Sequence, residues 1–375
     1  MKKNNLQVLN IYAGSSGSAG LYIDSIYKSL DKYYSQDVIV SYHFPFKYGR
    51  KLFYRFTDLV KPNIFHKITY VRFIIRYFEL LFTLLYSAAY ILIYRPRIVN
   101  YSFTSQINIE LYFIKFISTF SKSKILITAH DVIPFQTKYN DFEKSVRKRG
   151  CFFQLADKII VHNSNAENDL VNMYNIKKSK ILKYPFPIMN LSHLKTNLSP
   201  ISLDKFNLNK KEYFLFTGHL RSEKGVHILI DAWSKYHEND DLKIKKLVIA
   251  GNITTDFTAD FKENIIFINR FLSDSEYHLL IKNAFCVVLP YTRGTNSGIP
   301  SSVVTLNTKL ITSDIDMFKN NSLVDKKFIF KSGDSSDLSK LLYNSCSMRY
   351  DFSLIDNYDK VFKSEIIKVY KNEID

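Results

Sequence analysis

The sequence predicts an α/β protein made of two doubly wound domains, each built on a parallel sheet. Short apolar runs typical of buried strands alternate with helical stretches along the whole chain. The alternation occurs in two series, and a polar segment that contains prolines separates them. The chain has 375 residues, which is too many for one ordinary domain and suits two. Hydrophobic residues make up 46% of the sequence, enough for both domains to bury a core.

The first series begins with an apolar run at residues 6–12, followed by a Gly/Ser turn and a helix from about Leu21 to Tyr33. Four more strand-like runs follow, with the sequences DVIVSYHF, RIVNYSF, KILITAH and KIIVHNS. Because helical stretches separate these runs, the strands are expected to lie parallel in one sheet. Residues 1–188 are therefore predicted to form an N-terminal Rossmann-like domain.

The second series contains five strand-like runs, with the sequences YFLFTG, KKLVIAG, NIIFIN, FCVVLPY and TKLITSD. It predicts a C-terminal Rossmann-like domain at residues 211–355. Residues 189–210 are polar and weakly periodic, and they are predicted to be the linker. Residues 356–375 have the apolar spacing of a helix, which can pack back on the N-terminal domain.

The positive charge of the chain is concentrated in its first half. The formal net charge is +17, and residues 1–200 contain 28 Lys and Arg against 12 Asp and Glu, whereas residues 201–375 contain 24 against 23. A basic half suggests an anionic partner, such as a membrane surface, a nucleic acid or an acidic substrate. Since no nucleic-acid motif is recognisable, nucleic acid is not the expected partner.

The cysteines and the N-terminus indicate the compartment. The three cysteines are scattered, and none has a partner at the spacing of a metal site. This pattern favours a reducing compartment, and the first apolar run is too short for a signal peptide. We therefore expect a cytoplasmic protein without a bound metal.

One apolar stretch, residues 71–94, resembles a membrane span. Its uninterrupted part, residues 80–94, has 15 residues, short of the roughly 20 that cross a bilayer. A buried helix that leads into the next strand is the favoured prediction. The alternative is an interfacial helix that lies on the inner face of the plasma membrane.

The stretch YFLFTGHLRSEKG, at residues 213–225, is the strongest functional signal. An apolar strand runs into a turn bounded by Gly218 and Gly225, and a helical pattern follows at once. The turn also carries Arg221 and Lys224. A helix start offers unpaired N–H groups, basic side chains add full charges, and glycine lets a ligand approach the backbone. The turn is a candidate phosphate site, with an ordinary turn that carries two solvated basic residues as the alternative.

Residues that follow strands of the first domain are further candidates, because open α/β sheets bind ligands beyond the carboxyl ends of their strands. His130 ends the run KILITAH and Asp131 follows it, and His130 can bind a sugar hydroxyl or position a reacting group. A structural histidine is the alternative. After KIIVHNS, Asn163 or Ser164 is expected to cap the next helix. The loop after the first strand supplies candidates for the acceptor side of a cleft, namely Ser16, Gly17, Ser18 and Gly20.

In the second domain, a loop rich in glycine and hydroxyl groups follows FCVVLPY and is a second candidate anion nest. Its candidate residues are Thr295, Asn296, Ser297, Gly298, Ser301 and Ser302. Arg270 follows another strand and can supply charge to the same cleft. The alternative for Arg270 is a surface position before a helix capped by Ser273 or Asp274.

Taken together, these motifs resemble the retaining glycosyltransferases of the large family 4, which have the GT-B fold of two Rossmann-like domains that face each other across a cleft. The turn at residues 213–225 resembles the family's G-R-L-x-x-x-K-G motif, which grips the diphosphate of a nucleotide sugar. The run FINRFLSDSEYHLLIKNAFCVVLPYTRGTNSG resembles a subgroup with Ser-Gly in place of the usual Glu-Gly-Phe-Gly turn. In the first domain, the Gly/Ser loop and TAHDVIP match the family's glycine loop and its H-D strand end. The likeness spans residues 6–318.

The chain departs from the family's pattern at the donor site. The arginine of G-R-L is His219 here, and Arg221 stands two positions further on. The family's two glutamates fall on Thr295 and Val303, neither of which is acidic. These departures imply a donor that is held in a different way, with reduced or absent activity as the alternative. The hydroxyls that can supply the missing hydrogen bonds are those of Ser297, Ser301 and Ser302.

The resemblance implies a metal-independent, retaining glycosyltransferase that needs no resident cofactor. It would move a sugar from a nucleotide diphosphate sugar, with a UDP-sugar slightly favoured over a GDP-sugar, to a growing glycan or lipid-linked acceptor in surface polysaccharide synthesis. Arg221 and Lys224 would neutralise the leaving diphosphate, His130 would lie near the reacting sugar, and Gly218 and His219 would contact the donor. Two alternatives are a basic scaffold that binds nucleic acid and a GT-B nucleotide-sugar epimerase.

Overall fold

The protein forms two compact units. The computed structural model describes residues 6–12, 19–40, 51–53, 69–104, 106–134, 141–189, 202–238, 244, 246–253, 264–294 and 296–374. The first unit consists of residues 1–187 and 361–375, and the second of residues 188–360. Four of the predicted site residues lie outside the described residues, namely Ser16, Gly17, Ser18 and Thr295.

The first unit is built on a seven-stranded parallel sheet. Its strands are β1 (Val8–Tyr12), β2 (Gln36–Val40), β3 (Lys51–Phe53), β4 (Ile98–Tyr101), β5 (Lys124–Thr128), β6 (Lys158–Val161) and β7 (Ile181–Lys183). Its helices are α1 (Ala19–Leu30), α2 (Thr69–Tyr94), α3 (Ile107–Phe120), α4 (Phe142–Gln154) and α5 (Ser164–Tyr174). The strand order is β3-β2-β1-β4-β5-β6-β7, and all neighbours run parallel. This order is that of a doubly wound sheet.

Helices cover both faces of this sheet. Leu84 of α2 and Ile114 of α3 are buried in one cluster with Leu9 and Ile11 of β1, while Val8 of the same strand belongs to a second cluster on the opposite face. Alternate strand residues point to opposite faces, so a strand covered on both sides is apolar throughout. All five residues of β1 are buried, as this arrangement requires.

The chain's last helix, α11 (Leu354–Ile374), contributes its residues from Val361 onward to the first unit. Phe362 and Ile366 are buried in the same cluster as α1. Lys124 at the start of β5 pairs with Glu373, with an Nζ–Oε2 distance of 2.9 Å. The end of the chain is therefore part of the covering of the first sheet.

The second unit has a six-stranded parallel sheet. Its strands are β8 (Tyr213–Thr217), β9 (Lys246–Ala250), β10 (Ile265–Ile268), β11 (Cys286–Leu289), β12 (Lys309–Ser313) and β13 (Ile329–Phe330). Its helices are α6 (Val226–Tyr236), α7 (Asp274–Asn283), α8 (Ile299–Thr305), α9 (Asp316–Lys319) and α10 (Ser335–Ser345). The order β10-β9-β8-β11-β12-β13 has the same winding as the first sheet. The predicted α/β class with two doubly wound parallel sheets is confirmed.

Helix starts follow the sequence signals. Asn163 caps α5 through a hydrogen bond from the backbone N–H of Ala166, which is one of the two predicted caps. Ser273 and Glu276 form a reciprocal capping box at the start of α7. Short polar side chains satisfy the first free N–H groups of these helices, so local sequence sets where they begin.

Helix α2 differs from its favoured prediction as a buried helix. Leu80, Leu84 and Ile91 are buried against the sheet, but the opposite face is exposed, with Leu85 at 63%. Among the described residues, one window passes the length and hydropathy test for a membrane span, residues 77–94, and only 33% of it is buried. The buried prediction is therefore correct for one face of the helix and wrong for the other.

Candidate functional site

The predicted phosphate turn lies at the switch point of the second sheet. In the order β10-β9-β8-β11-β12-β13, the chain winds one way from β8 and the other way from β11. Loops that leave these two neighbouring strands at their carboxyl ends diverge and open a crevice, where doubly wound folds bind ligands. Residues 218–225 follow β8, and residues 290–298 follow β11.

Glycines hold these two loops close together. Gly218 has φ +136° and Gly225 has φ +64°, a backbone region that other residues rarely adopt. A Cβ atom at Gly225 would lie 1.9 Å from the carbonyl oxygen of Pro290. The backbone N–H of Thr292 also donates to the carbonyl of Glu223, at 2.9 Å. The glycine therefore permits a backbone contact that a larger residue would prevent.

The two basic residues of the turn have different partners. The Nζ atom of Lys224 lies 3.8 Å from the centroid of the Tyr291 ring, a cation–π contact that holds the ammonium group over the loop after β11. The guanidinium of Arg221 pairs loosely with Glu223, with an Nη1–Oε1 distance of 3.7 Å. Both basic side chains are half-buried. The turn thus concentrates positive charge that remains open to solvent.

His219, where the family has arginine, adds a titratable group beside this charge. Its side chain is exposed, and its ring lies edge-on to Phe271 with the ring centroids 5.3 Å apart. Partial burial, followed by the charges of Arg221 and Lys224, lowers the pKa of His219 below its usual value. The neutral imidazole is therefore favoured at neutral pH until an anion approaches.

Several of the hydroxyl groups that were predicted to bind the donor after β11 are hydrogen-bonded within the protein. Ser301 accepts a hydrogen bond from the backbone N–H of Met189, at 2.6 Å. Ser302 donates to the carbonyl of Gly298, at 3.3 Å. Both serines are almost fully buried. Their hydroxyls therefore have a structural role.

Gly298, Asn296 and Ser297 lie at the start of the short helix α8. Gly298 is the residue before the helix, with φ −81°, and Pro300 occupies the first turn. The hydroxyl of Ser297 accepts a hydrogen bond from the backbone N–H of Ile299, at 3.4 Å. Burial raises the pKa of Tyr291, and the nearby Ser297 opposes that rise. Tyr291 therefore lies against the ammonium group of Lys224 and close to the Ser-Gly turn, between the two halves of the predicted donor site. Sequence analysis did not single it out.

Arg270 is engaged by a carboxylate. Its guanidinium makes two hydrogen bonds of 2.8 Å to Glu276, which also pairs with Lys205 at 2.8 Å. The bonds from Arg270 hold the pKa of Glu276 well below its usual range. This arrangement matches the alternative of a surface arginine before a capped helix. The structure assigns Arg270 a structural partner, and its donor-binding role stays a prediction.

In the first unit, His130 lies in an aromatic cluster beyond the end of β5. Its ring stacks on Phe103, with the centroids 4.0 Å apart and the planes 9° apart, and meets Tyr22 edge-on at 4.8 Å. Burial, with a smaller effect of His162, lowers the pKa of His130 well below its usual value, against an opposing hydrogen bond with the Ser102 backbone. His130 is therefore neutral at physiological pH.

His162 is the residue of this cluster that sequence analysis missed. Its ring is buried between the Tyr22 hydroxyl and the carbonyl of Tyr184, each 3.1 Å from a ring nitrogen. Burial lowers its pKa to about 4. The sequence signal for His162 is its position directly after β6, a buried strand. This strand lies next to β5, which leads to His130.

A cavity of about 80 Å³ lies beside His130 at the carboxyl ends of β4 and β5. Arg149 of α4 reaches it and donates a hydrogen bond to the backbone carbonyl of Asp131. Gly20, the described member of the predicted Gly/Ser set, is buried in the first turn of α1. The remaining lining residues of the cavity are mainly apolar or hydroxylic, namely Phe103, Thr104, Ile107, Thr128, Ala129, Phe152 and Phe153.

Within the described residues, no group of three or more His, Cys, Asp and Glu side chains is placed to hold a metal ion. His130 and His162 lie together, with ring centroids 5.6 Å apart. The predicted site residues thus fall into two sets. One set surrounds the turn after β8, and the other surrounds His130.

Comparison with known proteins agrees with this geometry. The family model "Glycosyl transferases group 1" matches residues 200–343, which include the turn after β8 and the loop after β11. A search of curated proteins found no match.

Solved structures resemble the chain over its whole length. A glycosyltransferase from Rickettsia africae is 14% identical with a TM-score of 0.62, and the match covers 99% of each chain. HepE of Anabaena, solved with UDP and glucose, is 11% identical with a TM-score of 0.57, over 99% of this chain and 96% of that one. A structure from Listeria monocytogenes described as a "putative UDP-N-acetylglucosamine 2-epimerase" is 12% identical with a TM-score of 0.57, over 97% of this chain and 95% of that one.

These similarities and the two doubly wound sheets define the class of protein. The fold is that of the GT-B glycosyltransferases, and residues 200–343 match the group 1 family. At this level of identity, likeness shows the fold, and the activity has to be argued from the site.

Proposed function

We propose that the protein is a retaining, metal-independent glycosyltransferase that uses a nucleotide diphosphate sugar. The observation that carries this proposal is the turn after β8. Arg221 and Lys224 lie there between two positive-φ glycines, at the switch point of a doubly wound sheet. A rigid, positively charged turn in that place suits a diphosphate, because backbone N–H groups and cations converge without reorganisation.

Lys224 and Arg221 would act on the leaving group. Negative charge grows on the diphosphate as the bond to the sugar breaks, and cations held in place lower the energy of that transition state. Lys224 is held over the Tyr291 ring, with its Nζ atom 3.8 Å from the ring centroid, and its ammonium group would donate to an anionic oxygen of the diphosphate. Arg221, loosely paired with Glu223, would supply the second charge.

His219 and the Ser-Gly turn would hold the donor in place of the residues found in the family. An approaching diphosphate favours the imidazolium form of His219, which then donates hydrogen bonds to phosphate oxygen. Asn296, Ser297 and Gly298 would contact the rest of the donor. Ser301 and Ser302, already bonded within the protein, would support that turn.

His130 would position the reacting sugar or the acceptor as a neutral hydrogen-bonding group. Its low pKa makes it a poor cation at neutral pH, so a positioning role suits it better than charge neutralisation. We assign no carboxylate as a nucleophile, and we infer a front-face displacement with retention of configuration. The acceptor would be a growing glycan or a lipid-linked sugar in surface polysaccharide synthesis, at the cytoplasmic face of the membrane.

The donor is tested by a thermal-shift panel of UDP, GDP, ADP and CMP with their sugars. A ligand that binds the folded state raises its melting temperature with the logarithm of its excess over Kd. We expect stabilisation by UDP and a UDP-sugar, with a weaker effect of the GDP pair. If no nucleotide diphosphate stabilises the protein, while nucleic acid binds with strong salt dependence, the basic-scaffold alternative replaces the proposal.

The epimerase alternative is favoured by one observation, the shared fold of the Listeria structure. The two activities differ in whether they need an acceptor. An epimerase converts the nucleotide sugar reversibly without any acceptor, whereas a transferase releases nucleoside diphosphate only as the acceptor is consumed. Following the donor by NMR with and without a glycan acceptor separates the two activities.

A further inference from the structure

The outward face of helix α2 is an apolar stripe. Ile74, Phe78, Leu85 and Leu92 are exposed, at 58%, 56%, 63% and 38%. Their spacings of four and seven residues place them on the same side of the helix, because seven residues make about two turns. From the first to the last, the stripe is about 27 Å long at a rise of 1.5 Å per residue.

This helix cannot cross a bilayer while the unit is folded. Its opposite face, including Leu80, Leu84 and Ile91, is buried in the core of the first unit. Charged and polar groups of the sheet and its loops would have to enter the hydrocarbon with it. One face of the helix therefore packs in the core of the first unit, and the opposite face remains exposed.

Helix α3 extends this surface. Tyr112, Phe116 and Phe120 are exposed at 75%, 40% and 65%, at the i, i+4, i+8 spacing of one helix side. The buried residues of α3 share a cluster with those of α2, on the same face of the sheet. The exposed residues of the two helices therefore form one surface, which we call the apolar face: Ile74, Phe78, Leu85, Leu92, Tyr112, Phe116 and Phe120.

The charges around the apolar face are positive. Lys115 is exposed between Tyr112 and Phe116 in sequence, Lys122 is exposed just after α3, and Arg95 is exposed at the end of α2. Their long side chains can keep an apolar stem in contact with lipid while the charge reaches the headgroups.

The acidic residues of the two helices are turned away from this face. Glu110 is buried, where it accepts a hydrogen bond of 2.8 Å from the Tyr101 hydroxyl. Glu79 is half-buried, about 100° around the helix from Phe78. Among the residues that the structure describes, neither acidic side chain of these two helices lies on the apolar face to oppose an approaching anionic surface.

We propose that the apolar face docks on an anionic lipid bilayer and lies in its interface. Aromatic and aliphatic side chains with interspersed lysine are typical of helices that lie in the membrane interface, whereas lysine is depleted from protein–protein interfaces. Each basic residue near an anionic surface adds to the electrostatic attraction. The proposal does not depend on glycosyl transfer, because it concerns surface residues of the first unit.

Co-sedimentation of the full-length protein with lipid vesicles tests the proposal. We expect binding to vesicles of phosphatidylglycerol and phosphatidylethanolamine, and about tenfold weaker binding to phosphatidylcholine vesicles. The double variant Phe78→Glu/Leu85→Glu should lose at least tenfold in partitioning. Tyr343→Glu, which changes an exposed aromatic residue of the second unit, is the matched control and should bind like the wild type.

Depth of insertion gives a second readout. Trp233 is the protein's one tryptophan and is buried in the second unit, so it supplies a constant background. In Leu85→Trp, the added tryptophan should shift its emission to shorter wavelength and be quenched by acyl-chain-brominated lipid. In Tyr343→Trp it should do neither. A Leu85→Trp signal that vesicles leave unchanged overturns the proposal.

A second copy of the chain is the alternative partner for the apolar face. Sedimentation velocity distinguishes it from lipid. A dimer that Phe78→Glu/Leu85→Glu dissociates, together with no vesicle binding by the wild type, replaces the bilayer proposal. An unchanged melting temperature of the double variant shows that it is folded, as expected for exposed positions.

Discussion

The turn after β8 and the cluster around His130 both lie beyond strand ends, in two sheets of the same winding. They differ in charge, because the turn carries cations and the cluster holds neutral side chains. At the turn, Arg221 and Lys224 are half-buried cations that remain open to solvent. Around His130, aromatic rings and burial keep both histidines neutral, with the pKa of His162 at about 4. The difference suits the proposed roles of the two regions, because an anion needs fixed positive charge and a sugar hydroxyl needs neutral hydrogen-bonding groups.

Removing the lysine at the turn should have the largest effect on activity. Lys224→Ala should lower kcat/KM for the nucleotide sugar by about 100- to 1000-fold, as expected when a fixed group that stabilises transition-state charge is lost. Lys235→Ala is the control, because that lysine bonds Ser335 and Ser336 instead. Steady-state kinetics with a melting curve measures both effects, and wild-type turnover in Lys224→Ala would remove the diphosphate assignment.

The glycine that locks the turn should matter next. Gly225→Ala places a Cβ 1.9 Å from the Pro290 carbonyl at a positive φ, and we expect it to lower the free energy of unfolding by about 3 kcal/mol. Gly333→Ala is a matched control, with φ +82° and open space around the added atom. It should cost about 1 kcal/mol, from backbone conformation alone. Equal losses in the free energy of unfolding of the two variants, measured by urea unfolding, would show that the close contact with Pro290 does not affect stability.

Donor binding should depend on pH through His219. The pKa of the free imidazole is lowered by burial and by two cations, and a bound diphosphate raises it, so binding takes up a proton. Affinity for a nucleotide sugar should therefore increase as pH falls through the pKa of the complex, and level off below the pKa of the free protein. Calorimetry between pH 8 and pH 5.5 should show about a tenfold gain, which corresponds to a pKa shift of one unit.

His219→Arg is the control for that titration. Arginine keeps its charge over the whole range, so the variant should bind the donor with nearly constant affinity. If it keeps the pH dependence of the wild type, another group titrates and His219 has no role in the linkage.

The smallest effect should come from the aromatic cluster. His130→Asn should lower kcat by about tenfold, the low end for a group that orients a reactant through a hydrogen bond, with the donor Kd unchanged. Because the pKa of His130 is far below neutrality, the loss should be the same from pH 6 to pH 8. A loss that grows as pH falls would show that His130 acts as an acid, and the contrast between the two regions would disappear.

The fold could be predicted because its determinants are local. Runs such as residues 213–217 are apolar over five positions, and the periodicity changes to that of a helix at residue 226. Asn163 and Ser273 begin their helices through side chains that bond backbone within three residues. The turn after β8 could be predicted as a candidate phosphate site for the same reason, since glycines and cations lie together in sequence.

Sequence by itself thus determined the α/β class, ten of the strands in their two series and the basic turn, but it missed the short strands β3, β7 and β13. Only the tertiary structure decided which side chains are free to act. It committed Arg270 to Glu276 and the hydroxyls of Ser301 and Ser302 to internal bonds. It also placed His162 beside His130, and it left one face of α2 exposed. The physical reason is that strand formation depends on neighbours in the chain, whereas burial, pKa and pairing depend on residues that the fold brings together from far apart.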